Sequence, residues 1–200
     1  MDYGPSTMAP TCRRGVDLLT NNVSPYRPLI LTILLTVGVL TCFSQNKVQQ
    51  KLPEKTRILF LLDGSGSMLA AWGGPNQSKM DVAKEILTRL VDSLKQNDKL
   101  ELALRVYGHR YARQANNCED TWLEVPFGMK NHGAIIHALK DIKPKGVTPI
   151  TYSLEQAAKD FAGGKGYRNI IILITDGIES CKGDPCAASL ALQKQSVFLR

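Results

Sequence analysis

Two uninterrupted apolar runs constrain the fold of this 200-residue chain more than any other feature: ILFLL at residues 58–62 and NIIILIT at 169–175. Each ends on an aspartate, Asp63 after the first and Asp176 after the second. A strand that is apolar at every position, rather than at every other one, belongs in the interior of a sheet covered on both faces, the usual state of parallel sheets. Both strands therefore carry a carboxylate out of the core at their carboxyl ends.

The segments around them supply the covering helices. Residues 79–95 place Val82, Ile86, Leu87, Leu90, Val91 and Leu94 at helical spacing, and Ser78 with Asp81 resembles a capping box. LELALRVY, 100–107, alternates and predicts a second strand, and TWLEVPF, 121–127, predicts an edge strand because of its proline. A helix over 132–142 is broken by Pro144 and Gly146; another, over 149–161, has Pro149 in its first position and Thr148 as N-cap. Asp184 and Pro185 open a further helix, and SVFLR begins another strand. The order predicts an α/β fold, doubly wound, with a mostly parallel sheet and one antiparallel edge strand. Stopping at SVFLR, it reads as truncated at the C-terminus, with the last strands and helix missing.

The expected organisation is a leader at 1–44 with its apolar core at 29–43, a polar linker at 45–56 and a domain at 57–200. The core, LILTILLTVGVLTCF, is preceded by Arg13, Arg14 and Arg27 and followed by polar residues, an export pattern. Its fifteen residues fall short of the roughly 18–20 of a spanning helix. Cleavage after Ser44 is therefore expected, with a lipid on Cys42 or an uncleaved membrane anchor as alternatives. The leader is long, so a start at Met8 or later is a further alternative. The expected location is the periplasm, the cell surface or the envelope membrane. Beyond residue 44, 22 basic residues face 16 acidic ones, a net +6. No nucleic-acid motif or arginine-aromatic interleaving accompanies this charge, so it reads as a solvated basic face without nucleic-acid binding. Three cysteines remain there, Cys118, Cys181 and Cys186. In an oxidising compartment they imply one disulfide, and a local Cys181–Cys186 loop and a longer bridge from Cys118 are both open.

In open parallel sheets ligands gather at the carboxyl edge of the strands. Asp63 and Asp176 share that edge, Ser65 and Ser67 follow Asp63 at every second position, and Thr148 enters from the same side. Such hard oxygen donors of low total charge suit magnesium, which takes about six oxygens and keeps several waters. Gly64 and Gly66 are expected to let the backbone turn both serine hydroxyls to one point.

DGSGS at 63–67, Thr148 of GVTPIT and TDG at 175–177 resemble the three parts of the metal-ion-dependent adhesion site of von Willebrand factor A domains, over residues 57–200. The resemblance implies direct ligation by Ser65 and Ser67, ligation by Asp63 and Asp176 directly or through water, and a contribution from Thr148. It implies magnesium, with manganese or calcium as alternatives, and a protein or matrix partner whose carboxylate completes the ion. ITDGIESCKGDPC and GHRYARQANNCEDTWLEVP resemble a bacterial exported subgroup, which would bring Cys118 near Cys181 or Cys186. Some members of the family are instead structural subunits of ATPase or chelatase complexes, so a subunit of an envelope assembly is the alternative function.

Catalysis is not expected. A haloacid-dehalogenase phosphatase needs D-x-D where this chain has Ser65, and a hydroxyl cannot act as acid and base near neutral pH. Neither serine stands in G-x-S-x-G, and GGPNQSK lacks phosphate-loop spacing. His132 and His137 read as solvated, His109 as a residue of the basic HRYAR loop near the proposed metal, with a contact to an anionic partner as its lesser alternative, and Trp72 as packing over its loop, with a partner contact as the alternative.

Overall fold

The computed structural model describes residues 55–74, 76–161 and 166–200. The expected leader, its apolar core and nearly all of the linker lie outside the described residues. Among those residues no helix is long and apolar enough to cross a membrane.

Five strands form one sheet: β1 (Lys55–Asp63), β2 (Leu100–Tyr107), β3 (Thr121–Gly128), β4 (Tyr167–Ile174) and β5 (Val197–Leu199), in the order β3-β2-β1-β4-β5. All pairs are parallel except β2 with β3. The register of that antiparallel pair shifts between Leu102 and Leu104, opposite Val125–Gly128, where Pro126 has no N–H to give the ladder. Among the described residues four α-helices cover the sheet: α1 (Lys79–Ser93), α2 (His132–Asp141), α3 (Ile150–Asp160) and α4 (Pro185–Lys194). This is the expected doubly wound α/β fold.

Alternate residues of β1 serve two cores, because successive side chains of a strand point to opposite faces. Phe60 and Leu62 pack with Leu87 and Val91 of α1 and Ile135 and Leu139 of α2. Leu59 and Leu61 pack with Leu154 and Ala157 of α3 and Leu192 of α4. All four β1 residues are fully buried, each contributing about 1.5–3 kcal/mol of apolar transfer.

Helix α1 starts as predicted: Ser78 accepts from Asp81 N–H while Asp81 accepts from Ser78 N–H. Its inward stripe is rotated from the expected one, running through Met80, Ala83, Leu87 and Val91, so that Ile86 is 60% exposed. The alternation of β2 also misleads, since both of its faces are covered. Arg105 is buried there and its guanidinium grips Asp160 with two bonds, of 2.7 and 2.8 Å. Asp184 caps α4, accepting from Cys186 and Ala187 N–H.

The largest local correction concerns α3. Pro149, at φ −85° and ψ 65°, is the residue that precedes the helix, and Thr148 stands outside it with no capping bond. Glu179 acts in its place: its carboxylate accepts from Thr151 N–H at 2.7 Å, satisfying a donor of the first turn from another loop. Replacing Glu179 with alanine is expected to lower stability by about 1 kcal/mol in urea unfolding, with the slope unchanged.

Candidate metal centre

Strand order reverses between β1 and β4, and the crevice at such a switch point is where α/β sheets bind ligands. Leu62 is level with Ile174 there, so Asp63 ends its strand beside Thr175, one residue before Asp176. The geometry then divides the work between the carboxylates. Asp63 is fully buried, with one oxygen accepting from Ser65 N–H at 2.8 Å and the other from Thr175 Oγ at 2.7 Å. It holds the loop rather than facing the opening.

Outside it lies a chain of oxygens. Ser65 Oγ is 3.0 Å from Ser67 Oγ, and Ser67 Oγ donates to Asp176 Oδ1 at 2.7 Å. Thr148 faces the same spot: a Cβ placed on Gly177 would lie 3.7 Å from Ser67 Oγ and 3.9 Å from Thr148 Oγ1. The two serines and Thr148 border one open cavity of about 420 Å³. Neighbouring oxygens on an octahedral magnesium are about 3.0 Å apart, from bonds of roughly 2.1 Å. The spacings of Ser65, Ser67 and Asp176 fit that edge, so the donor set suits such an ion.

Sequence reasoning missed three contributors. Lys79 reaches from the first turn of α1 to Asp176 Oδ2 at 2.6 Å, neutralising one charge of the set. Thr175 orients Asp63, although its place in TDG was a usable signal. Tyr107 is buried beneath them, and burial, with the charge of Asp63 added, keeps its phenol protonated well above the usual tyrosine range. No short-range pattern links Lys79 or Tyr107 to the site, since one arrives from helix α1 and the other from the neighbouring strand β2.

Four loops are locked around the cavity by backbone contacts. Gly64 N–H donates to Tyr107 O at 2.7 Å, Gly66 N–H to Gly146 O at 2.9 Å and Gly146 N–H to Gly108 O at 2.7 Å. Gly64 is required by crowding, since a Cβ there would sit 2.7 Å from both His109 Cβ and Tyr107 O. Gly66 is not: its nearest neighbour would be at an ordinary 3.6 Å, which corrects the role assigned to it from the sequence. Thr148 N–H donates to Ser180 Oγ at 2.8 Å, and Ser180 N–H returns a bond to Thr148 O at 3.1 Å.

The disulfide joins Cys118 to Cys181, across 63 residues, and ties the loop after β2 to the loop after β4. Of the two arrangements left open, it is the longer one. Closing a loop of that length restricts the unfolded chain and contributes about 4 kcal/mol. His109 is buried and does not border the cavity of the two serines. It is buried against Glu124, with Nε2 at 2.8 Å from the carboxylate, and burial holds its imidazole below the ordinary histidine range. His132 is half-buried rather than solvated, and Trp72 is 57% exposed rather than packed over its loop.

Known proteins are similar to this chain. A family model of the von Willebrand factor type A domain matches residues 58–179. YwmD of Bacillus subtilis (strain 168) is 36% identical over 152 residues, covering 71% of this chain and 64% of YwmD. The match thus spans less than two thirds of that relative. Among solved structures, BatB from Bacteroides thetaiotaomicron is similar with a TM-score of 0.57 and 24% identity, covering 72% of this chain and 64% of that one. The pilus adhesin SpaC from Lactobacillus rhamnosus GG is similar with a TM-score of 0.51 and 18% identity, covering 64% of this chain and 15% of SpaC. At these identities the two structures speak for the fold alone.

Proposed function

The chain belongs to the von Willebrand factor type A family, and on that premise we propose that it is an exported protein-binding domain that captures an acidic residue of a partner through magnesium. The observation that carries this reading is the run of close oxygens from Ser65 through Ser67 to Asp176, bordered by Thr148. Ser65, Ser67 and Asp176 would hold the ion, with Thr148 beside them and Asp63 bracing the loop. A bound divalent cation supplies a positive centre with a vertex open to a carboxylate.

Lys79 matters to the charge balance. By pairing with Asp176 it reduces the negative charge that the protein offers the ion, and an under-neutralised ion attracts an acidic side chain from outside. Ser65 and Ser67 bond each other and Ser67 donates to Asp176, while His109 is engaged with Glu124, and no histidine bonds either serine among the described residues. Binding without catalysis is the reading these contacts support. Export is supported by the Cys118–Cys181 bridge, which persists where the compartment is oxidising. The proposed boundaries are those of the sequence: a leader at 1–44, a linker at 45–56 and the binding domain from 57 onward. A role in adhesion accords with the likeness of the fold to a pilus adhesin.

Pull-down from an envelope extract tests the mechanism. Proteins retained by the immobilised chain in magnesium are expected to be released by EDTA and to be missing with Ser65→Ala. Capture that persists undiminished in EDTA overturns metal-mediated adhesion.

A further inference from the structure

The loop between β2 and β3 carries a cation to the rim of the same cavity. Arg113 begins a short 3-10 turn, Arg113–Ala115, closed by Asn116 in the left-handed region at φ 44°. Both residues border the opening with Ser65, Ser67 and Thr148. The other basic residues of this loop are occupied. Arg110 stacks on Trp122 at 4.0 Å and lies 3.9 Å from Glu124, and His109 is bonded to Glu124. The Arg113 guanidinium is exposed and makes no hydrogen bond or ion pair among the described residues.

Its position is built, not incidental. The buried carboxylate of Asp120 accepts from Arg110 N–H at 3.0 Å and Tyr111 N–H at 3.2 Å, while Gly108 N–H donates to Asp120 O at 2.9 Å. The far end of the loop is tied by Cys118 to Cys181, on the loop that also carries Asp176. The loop that carries this unpartnered guanidinium is thereby tied down on either side of it, beside a candidate cation site.

We propose that Arg113 binds a second carboxylate of the ligand, so that the site selects protein segments bearing two carboxylates over those bearing one. This rests on the metal-adhesion reading above. A guanidinium binds best with its fork against both oxygens of one carboxylate. A carboxylate that gives one oxygen to the ion has only one left, so the fork is filled by a second group. Ile178, 84% exposed on the same rim, supplies apolar contact beside the two charges. The partner is therefore a protein segment with an acidic pair, or with an acidic residue at a free C-terminus.

Three dye-labelled hexapeptides separate these cases when titrated into the full chain by fluorescence anisotropy in magnesium: one with a single aspartate and amidated end, one with two adjacent aspartates and amidated end, and one ending in aspartate with a free carboxylate. A probe with two carboxylates is expected to bind about tenfold tighter than the single-acid probe, the worth of a charge-assisted pair. Arg113→Gln is expected to erase that preference while leaving single-acid binding within about twofold, and Arg113→Lys to restore only part of it. Which of the two-carboxylate probes gains identifies the source. Equal affinities in the parent chain, a preference that survives Arg113→Gln, or no binding of any probe overturns the proposal. Magnesium titration of the parent chain and of Arg113→Gln runs in parallel. Absence of magnesium binding defeats the metal reading by itself, and the Arg113 inference is then decided by the same probe preference measured in EDTA.

Discussion

Magnesium titrated calorimetrically into the full chain is expected to bind at one site, and Ser65→Ala or Asp176→Ala to weaken that binding by about 100-fold or more. The reason lies in the donor spacing. Ser65 Oγ, Ser67 Oγ and Asp176 Oδ1 stand 3.0 and 2.7 Å apart in sequence along the rim, and the loss of one leaves a vertex that only water fills. Ser65 is buried and the Asp176 carboxylate nearly so, so a thermal melt in EDTA separates misfolding from lost ligation. Magnesium raises the melting temperature of the parent chain by mass action and leaves that of the variants unmoved. No heat of binding in the parent chain, or equal binding in Ser65→Ala, removes the metal from the account. Lys79→Met serves as a complementary probe: with Asp176 relieved of its ammonium, the site becomes more negative and magnesium binds more tightly.

Gly108→Ala is expected to cost about 4 kcal/mol, placing it among the most damaging single changes in the domain. Gly108 sits at φ +68°, in the region that favours glycine, and a Cβ there would overlap Val147 O and lie 3.1 Å from Ser65 Cα and N. Those neighbours are backbone and cannot swing away. Its carbonyl also accepts from Gly146 N–H at 2.7 Å. Relief of the clash must push the loop after β2 away from both the DGSGS turn and the Val147–Thr148 segment. Magnesium affinity should therefore fall together with stability, and a variant that melts and binds like the parent contradicts the locked arrangement of loops. Chemical unfolding followed by fluorescence gives the first quantity and calorimetry the second.

Much of this was legible in the residues. The unbroken apolar runs before Asp63 and Asp176 announced two central strands, because only strands covered on both faces lack polar positions. Ser78 with Asp81 and Asp184 with Pro185 announced two helix starts, since capping is chemistry between near neighbours. Other features failed for reasons of equal generality. Arg105 looked like the solvent side of an alternating strand until Asp160, 55 residues away, proved to be its buried partner. Thr148 looked like a helix cap because Pro149 follows it, yet Glu179 supplies the bond from another loop. Pairings across such distances leave no local trace.

The sequence by itself determined which atoms are available at the carboxyl edge: two aspartates, two spaced serines and a threonine, each placed by its strand end or loop. It determined the fold class for the same reason, since periodicity and caps are properties of contiguous residues. Only the tertiary structure decided how those atoms divide their tasks. Burial turned Asp63 inward to brace the loop, Lys79 crossed from α1 to Asp176, and the Cys118–Cys181 bridge tied the loop that carries Arg113 to the loop that carries Asp176. Each of these depends on elements far apart in the chain meeting at one sheet edge, and that meeting is set by the packing of two helix layers on the strands.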